Sequence, residues 1–266
     1  MRNSRQQHAR NDHKPGGNKR GGGVQMFGFH AASAAWLNPS RNCHRLLLTQ
    51  TSLRQFEPII AQAKKLNLKR PSPEIIDPRA IDKQLPNGTV HQGILLEAEN
   101  LPDRELEDLL ELENLPSAIV VLDQVTDPHN VGAILRSACA FGIGAVLVTE
   151  RNAASQTGVL AKTASGALEH TPIFRTGNLS QSLKKLQNAG YWCIGLDETG
   201  KSALHHIKMP AKVALVLGAE GEGLRRLTIE SCDEIAKLPT APPVGSLNVS
   251  NAAAVAMYEV MRQLKN

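Results

Sequence analysis

Apolar and polar residues follow the same order three times in the second half of the chain. Each time, a run of apolar residues typical of a buried strand leads into a polar or glycine-rich turn, and the turn leads into a helix. The predicted strands are 118–122, 213–217 and a third that ends near residue 238. Continuous apolar strands that alternate with helices predict a parallel sheet covered on both faces, which is an α/β fold.

The turns of these three units are predicted to meet at one place. They are the segments 123–130, 218–223 and 238–250, and helices are predicted to follow them over 131–138, 224–228 and 252–261. In parallel sheets of this kind, ligands bind beyond the carboxyl ends of the strands. All three turns fall at such ends, so the sequence predicts one site that they share.

A smaller α/β unit is predicted ahead of this sheet, over residues 25–98. Its predicted elements are a helix at 30–37, a strand at 45–49, an amphipathic helix at 58–66, a short helix at 78–85 and a strand at 93–97. Residues 99–116 are acidic and predict a charged linker with a helix in its middle. The large domain is then predicted over 117–266.

The positive charge of the protein is concentrated at its N-terminus. The formal net charge of the 266 residues is +5, and the first 24 residues alone hold six basic residues and one acidic residue. This tail has no apolar run, so it is predicted to be disordered. It is either an arm that contacts RNA non-specifically or a solubilising extension. No secretory signal and no stretch that could span a bilayer is recognisable, which predicts a cytoplasmic protein.

Cysteine and histidine spacing argues against a metal site. Cys43, Cys139, Cys193 and Cys232 are scattered, and none forms a C-x-x-C pair. The adjacent histidines 205 and 206 would point to opposite sides of a strand or helix. We therefore expect reduced thiols and no metal.

The glycine-rich second turn suits a small ligand. Gly218 and Gly221 permit close approach of a ligand to the backbone, while Glu220 favours a ligand with positive charge. No Gly-Lys-Ser/Thr follows, so the turn is not a phosphate loop. A glycine-rich turn with solvated acids is the alternative interpretation.

The other two turns carry polar residues at helix entries. Asn130 can cap the helix that follows the first turn, and Arg136 lies on that otherwise apolar helix, either as a functional group or as a surface side chain. In the third turn, Ser246 and Asn248 precede a helix rich in alanine. An N-capped helix on a strand would explain that turn equally well.

Three sequence motifs together resemble those of the SpoU (TrmH-like) RNA ribose 2′-O-methyltransferases. They are D-P-H-N-V-G-A-I-L-R-S-A at 127–138, L-G-A-E-G-E-G-L at 217–224 and S-L-N-V-S-N-A-A at 246–253. The segment F-G-F-H-A-A-S-A-A-W-L at 27–37 and the unit after it resemble the RNA-binding domain of the bacterial 23S ribosomal RNA guanosine-2′-O-methyltransferases (RlmB type). The resemblance covers about residues 25–266.

The resemblance implies a SPOUT-type parallel sheet with a C-terminal trefoil knot, preceded by a small α/β RNA-binding domain. It also implies a homodimer that uses S-adenosylmethionine to methylate a ribose 2′-hydroxyl, most readily that of a guanosine in ribosomal RNA. A transfer-RNA methyltransferase and a non-catalytic RNA-binding or ribosome-assembly protein are the alternatives.

Site residues follow from the same motifs. Around the reacting ribose the resemblance places Asn130, Arg136, Glu220, Ser246 and Asn248. It places Leu217, Gly218, Gly221, Leu238, Ser246 and Leu247 at the cofactor. We expect Arg136 to stabilise the developing alkoxide, since a guanidinium group does not give up its proton in proteins and so makes a poor base. Pro242 and Pro243 depart from the family pattern and are expected to stiffen the cofactor loop.

Overall fold

The computed structural model describes residues 23–150, 157–243 and 245–265. The predicted tail lies outside these ranges up to residue 22. Its last residue, Val24, is instead the first residue of strand β1 (Val24–Phe27), which the sequence did not predict. Among the described residues, no helix is long and apolar enough to cross a membrane.

The N-terminal unit, residues 24–98, is built on a four-stranded sheet in the order β1-β4-β2-β3. Strands β1 and β2 pair antiparallel with β4, and β3 pairs parallel with β2. The further elements of this unit are β2 (Cys43–Leu48), β3 (Glu74–Ile75), β4 (Ile94–Ala98), α1 (Phe29–Leu37), α2 (Gln50–Lys65) and α3 (Pro78–Asp82). The predicted α/β character of this region is confirmed.

Helix α2 begins eight residues earlier than predicted, and the prediction of a start at Pro58 was wrong. The Thr49 side chain accepts a hydrogen bond from the Ser52 backbone, and the Ser52 side chain accepts one from the Thr49 backbone. This capping box fixes the start of the helix at Gln50. Pro58 lies on the exposed face of α2. Proline has no N–H group to donate to the carbonyl group four residues earlier, and on this face water can donate to that carbonyl instead.

The acidic segment after β4 packs against the large sheet. Its helix α4 (Leu106–Leu110) confirms the helix predicted in its middle. Leu106 and Leu109 are buried in the core on one face of that sheet. Asp103 forms an ion pair of 2.8 Å with Arg175, which lies on the sheet's edge strand. The acidic side chains dominate the composition, but two leucines determine where the segment lies.

The large sheet has seven strands, all parallel, in the order β7-β6-β5-β10-β8-β11-β9. This confirms the predicted parallel sheet. The strands are β5 (Ala118–Asp123), β6 (Ala145–Thr149), β7 (Ile173–Thr176), β8 (Trp192–Leu196), β9 (Ser202–Ala203), β10 (Val213–Gly218) and β11 (Glu234–Lys237).

Helices cover both faces of this sheet, because alternate residues of each buried strand point to opposite sides. Val120 belongs to a core that includes residues of α5, α6 and α9, and Val121 belongs to a second core that includes residues of α4 and α7. These helices and the short α8 are α5 (Pro128–Phe141), α6 (Gly158–Ala164), α7 (Leu179–Asn188), α8 (Arg226–Ser231) and α9 (Val249–Leu264). Helix α9 packs on α5 and β10.

Candidate active site

The predicted turns meet at the carboxyl edge of four neighbouring strands, β5, β10, β8 and β11. The turn after β5 leads into α5, the glycine turn follows β10, and the third turn joins β11 to α9. The strand ends are held in register, with Leu217 beside Leu122 on one side and beside Leu196 on the other. A single edge of the sheet therefore carries all three motifs.

Three of the predicted catalytic side chains form one hydrogen-bonded cluster. The Nδ2 amide of Asn248 donates to Asn130 Oδ1 and to Glu220 Oε2, each at 3.1 Å. The Asn130 Nδ2 amide also donates to Glu220 Oε2, at 3.4 Å. We call Asn130, Glu220 and Asn248 the polar cluster. It joins residues from all three motifs at the mouth of the sheet edge.

Asn248 has its side chain fixed in a single orientation. It is the N-cap of α9, and its Oδ1 atom accepts hydrogen bonds from Ser250 N at 2.9 Å and from Ser250 Oγ at 2.5 Å. The cap determines which end of the amide faces the helix. Its two N–H groups are therefore left to bind Asn130 and Glu220.

Asn130 does not cap its helix, contrary to the sequence interpretation. The N-cap of α5 is Asp127, whose Oδ1 atom accepts from His129 N at 3.0 Å, and Pro128 occupies the first helical position. Asn130 lies one turn further on, so its amide is free to join the polar cluster.

A cleft with two adjoining parts lies beside the polar cluster. One part, of about 510 Å³, is lined by residues of the third turn, including Leu238, Ser246 and Leu247. The other, of about 620 Å³, is lined by Leu217, Gly218 and Gly221, and by Ser246 and Leu247 again. All the residues predicted at the cofactor therefore line one continuous cleft. Pockets for small ligands typically have volumes of about 300–1,000 Å³.

Gly218 is required by the loop itself. A Cβ atom at this position would lie 2.5 Å from the backbone nitrogen of Leu224, because the turn folds back on the strand end. The Gly223 N–H donates to the Ala219 carbonyl at 3.0 Å and closes this turn. Gly221, with φ of 84°, is at the tip and faces open space. The sequence had attributed both glycines to close approach by a ligand.

Two of the five residues predicted around the ribose lie outside the polar cluster. Ser246 is exposed on the cleft wall. Arg136 is exposed on α5, and no hydrogen bond or ion pair involves its side chain within the described ranges. It follows Asn130 by six residues, which in a helix is a rise of about 9 Å and a rotation of about 240°. Arg136 and Asn130 therefore face different sides of α5.

The end of β8 contributes two carboxylates that the sequence interpretation missed. Asp197 and Glu198 line both parts of the cleft. Partial burial opposes ionisation of Asp197, but hydrogen bonds from Thr199 and Leu224 lower the pKa of this carboxyl below its usual value. The signal was available, because 192–200 also reads as an apolar strand followed by a polar turn ending in glycine.

The loop between β11 and α9 is closed by its own hydrogen bond. Thr240 Oγ1 donates to the Gly245 carbonyl at 2.7 Å. The peptide bond between Pro242 and Pro243 is cis. Leu238 enters this loop directly from β11, so the third turn stands as the outer wall of the cleft.

Residues that could bind a metal do not cluster in the described part of the chain. No group of three or more His, Cys, Asp or Glu side chains is placed to hold a metal ion there. All four cysteines are free. Burial raises the pKa of Cys232 to about 12, so this thiol stays protonated at neutral pH.

Two family models match the chain. The model of the SpoU rRNA methylase family matches residues 117–258, and the model of the RNA 2′-O ribose methyltransferase substrate-binding domain matches residues 26–103. Between them they cover both sheets.

Relatives of known name match along most of their length. The 23S rRNA (guanosine-2′-O-)-methyltransferase RlmB of Yersinia pestis is 39% identical over 90% of this chain and 96% of its own. That of Coxiella burnetii is 38% identical over 90% of this chain and 95% of its own. Among solved structures, the SpoU methyltransferase AviRb of Streptomyces viridochromogenes in complex with AdoMet superposes with a TM-score of 0.73. It is 22% identical, and the match covers 91% of this chain and 90% of that one. This last likeness is one of fold.

Proposed function

Because the chain belongs to the SpoU rRNA methylase family, we propose that it transfers a methyl group from S-adenosylmethionine to the 2′-hydroxyl of a guanosine ribose in 23S ribosomal RNA. The observation that carries this proposal is the polar cluster standing at the mouth of the glycine-lined cleft. The named relatives support the choice of ribosomal RNA over transfer RNA. A ribosomal substrate also makes the cytoplasm the expected place of action.

The cleft fits S-adenosylmethionine by size and chemistry. Leu217, Leu238 and Leu247 supply apolar wall, and the turn after β10 exposes backbone groups. Asp197 and Glu198 give the cleft negative charge, which suits a sulfonium and an ammonium group. When bound there, the cofactor supplies a methyl group that is already activated for transfer.

The polar cluster is proposed to hold the ribose for an in-line attack. Asn248, fixed by its capping role, presents its amide at the cleft mouth, and Ser246 offers a hydroxyl on the adjoining wall. Asn130 and Glu220 fix the position of the Asn248 amide. Alignment of this kind accounts for a large part of the rate when the methyl group needs no further activation.

Arg136 is proposed to act on the site of a second copy of the chain. Its side chain faces away from the polar cluster of its own chain, while α9, which packs on α5, exposes Val255 and Tyr258. These two apolar residues are three positions apart and so lie on one helix face. A homodimer that buries this face would place Arg136 of each copy near its partner, where it could stabilise the developing alkoxide and a substrate phosphate.

A trefoil knot and a division into domains are part of the same proposal. The late strand β11 lies between β8 and β9, which precede it in the chain, so the C-terminal segment enters a sheet formed from earlier strands. The proposed domains are residues 25–98 for RNA binding, 99–116 as the connection and 117–266 for methyl transfer. Two separate family models, over 26–103 and 117–258, support a division into two domains.

Methylation of purified ribosomal RNA and transfer RNA tests the function. We expect S-adenosylmethionine-dependent methylation of one guanosine ribose in 23S rRNA, located by its resistance to alkaline cleavage. Methylation of transfer RNA alone would favour the transfer-RNA alternative. No methylation, with RNA binding retained, would favour a non-catalytic protein.

Mixed dimers test the role of Arg136. Arg136→Ala and Asn248→Asp should each lower activity. When the two variants are mixed at equal concentration and exchange subunits, half of the dimers contain one copy of each variant. If Arg136 acts on its partner, each of these mixed dimers has one site in which both Arg136 and Asn248 are intact. We expect recovery of about one quarter of wild-type activity. No recovery, with both single variants impaired, would mean that Arg136 acts within its own chain.

A further inference from the structure

A fully buried ion pair joins the N-terminal unit to the large sheet. The side chains of Arg41, in the loop between α1 and β2, and of Glu169, just beyond α6, are 0% and 1% exposed. Arg41 Nη2 lies 2.8 Å from Glu169 Oε1, and Arg41 Nε donates to both carboxylate oxygens at 3.1 Å. This is a two-pronged contact between residues 128 positions apart.

The remaining polar atoms of this pair are also bonded. Asn38 Nδ2 donates to Glu169 Oε2 at 2.7 Å, and Arg41 Nη1 donates to the Glu99 carbonyl at 2.6 Å. Arg70 also stabilises the loop between α1 and β2, because its guanidinium donates to the carbonyl groups of Asn38 at 2.6 Å and of Arg41 at 3.0 Å. The loop therefore cannot shift without breaking several buried hydrogen bonds at once.

A second contact between the same two units lies at the other end of α6. A Cβ atom at Gly158, the first residue of α6, would lie 2.6 Å from the ring of Phe27 in β1. Lys162, one turn further on, donates to the Val90 carbonyl at 2.5 Å and stands 5.4 Å from the Phe27 ring centre. The N-terminal unit is thus held at both ends of α6.

The contacts of Gly158 and Lys162 with the N-terminal unit lie next to the polar cluster. Thr163, beside Lys162, lies with its Oγ1 atom 3.5 Å from Nδ1 of His129, and His129 precedes Asn130 on α5. The loop that contains Val90 is therefore joined to the polar cluster through α6 and the first turn of α5. A rotation of the N-terminal unit about these contacts would change the distance between RNA bound to that unit and the reaction centre.

We propose that Arg41 and Glu169 are a positioning pair, which holds the N-terminal unit in the one orientation that presents its bound RNA to the polar cluster. This rests on the proposed function. Replacing a buried ion pair by apolar residues of similar size is often neutral for stability, because desolvation cancels much of the attraction. Directional hydrogen bonds, in contrast, exclude neighbouring orientations that an apolar contact would tolerate. The pair would therefore act through geometry.

The test is the double variant Arg41→Met with Glu169→Leu in the full-length protein. We expect a melting temperature close to that of the wild type and an unchanged Kd for S-adenosylmethionine. We expect kcat on a 23S rRNA fragment to fall at least tenfold, with little change in the Kd for the RNA. Small-angle scattering should show a changed profile, because the unit can then rotate about its remaining contact at Gly158 and Lys162.

The chain provides a matched control in Arg45 and Glu74. These residues also form a two-pronged pair, at 2.8 and 2.7 Å, but they are exposed and both lie inside the N-terminal unit. Arg45→Met with Glu74→Leu should leave kcat and the scattering profile unchanged.

Three outcomes distinguish the possibilities. Wild-type kcat in the buried double variant, or an equal loss in the exposed control, would overturn the proposal. If the double variant does not fold, Arg41→Gln with Glu169→Gln supplies the same test, since it removes both charges together and keeps polar side chains beside Asn38 and the Glu99 carbonyl. Failure of the wild type itself to methylate RNA would instead refute the function on which the proposal rests.

Discussion

Asn248→Asp tests whether the amide of the polar cluster, rather than the cap of α9, is what the reaction needs. Aspartate keeps the acceptor oxygen that binds Ser250 N, so the helix cap remains. It replaces the amide nitrogen, which lies 3.1 Å from Glu220 Oε2, with an oxygen that shares a negative charge. The substitution therefore turns an attractive contact into a repulsive one without changing the size of the side chain.

The contact distance gives the magnitude. Two unit charges about 3.1 Å apart repel by about 1 kcal/mol at the dielectric constant of water and by about 5 kcal/mol at an effective value of ~20. Glu220 is exposed, so the lower part of this range applies. We expect single-turnover methylation at pH 8 to slow by about 10- to 100-fold, which corresponds to about 1.4–2.7 kcal/mol.

The pH dependence provides a second measure. A like charge raises the pKa of one carboxyl of the pair, because the doubly charged state is disfavoured. Below that raised pKa one proton is shared, and the protonated carboxyl can donate to its neighbour as the asparagine did. The rate deficit should therefore be largest at pH 8 and shrink as the pH falls towards 5. A deficit that is constant with pH would contradict this account.

The assay is single-turnover transfer of a labelled methyl group to a 23S rRNA fragment, followed beside thermal unfolding. Asn178→Asp is the matched control. Asn178 is the N-cap of α7, and its side chain accepts from Gln181 N at 3.2 Å and forms no hydrogen bond with a carboxylate in the described ranges. It should leave both rate and stability near wild type. Wild-type methylation by Asn248→Asp at pH 8 would refute the role of the amide.

Two further predictions concern the cleft and the last helix. Gly218→Ala should abolish S-adenosylmethionine binding in calorimetry, because the new methyl group meets Leu224 N at 2.5 Å, whereas Gly177→Ala, which meets nothing closer than 3.8 Å, should not. Hydrogen bonding from Arg262 lowers the pKa of Glu259 to about 2, below its usual value of 4.5. Glu259 therefore stabilises the fold above pH ~4.5 and loses this contribution as the pH falls towards 2. The free energy of unfolding lost in Glu259→Gln should be largest at pH 7 and vanish near pH 2.

The parallel sheet could be predicted because its strands have an unambiguous pattern. The segments 118–122 and 213–217 are apolar at every position, which only a strand covered on both faces requires. Both are strands in the structure, extended by one residue each. The convergence of their turns followed from topology, since parallel neighbours end at the same edge.

Individual side-chain roles could not be predicted, because neighbouring polar residues compete for the same backbone groups. In the first turn, Asp127 and Asn130 are both good cap residues, and only the structure shows that Asp127 takes that role. In the third turn the cap is Asn248, although Ser246 and Ser250 are equally suitable by type. In the first turn this leaves Asn130 to join the polar cluster, whereas in the third turn the capping residue Asn248 itself belongs to that cluster.

Gly218 shows how one glycine can meet two requirements. The sequence predicted it at the cofactor, and it lines the cleft in which we propose that the cofactor binds. Its missing side chain, however, first accommodates the backbone of Leu224, in a turn that reverses directly on the strand end. The rest of this turn, from Ala219 to Gly223, also lines the cleft. The same tight turn therefore closes the loop and forms part of the wall that is proposed to contact the ligand. From the sequence alone, only the need for glycine at this position can be recognised.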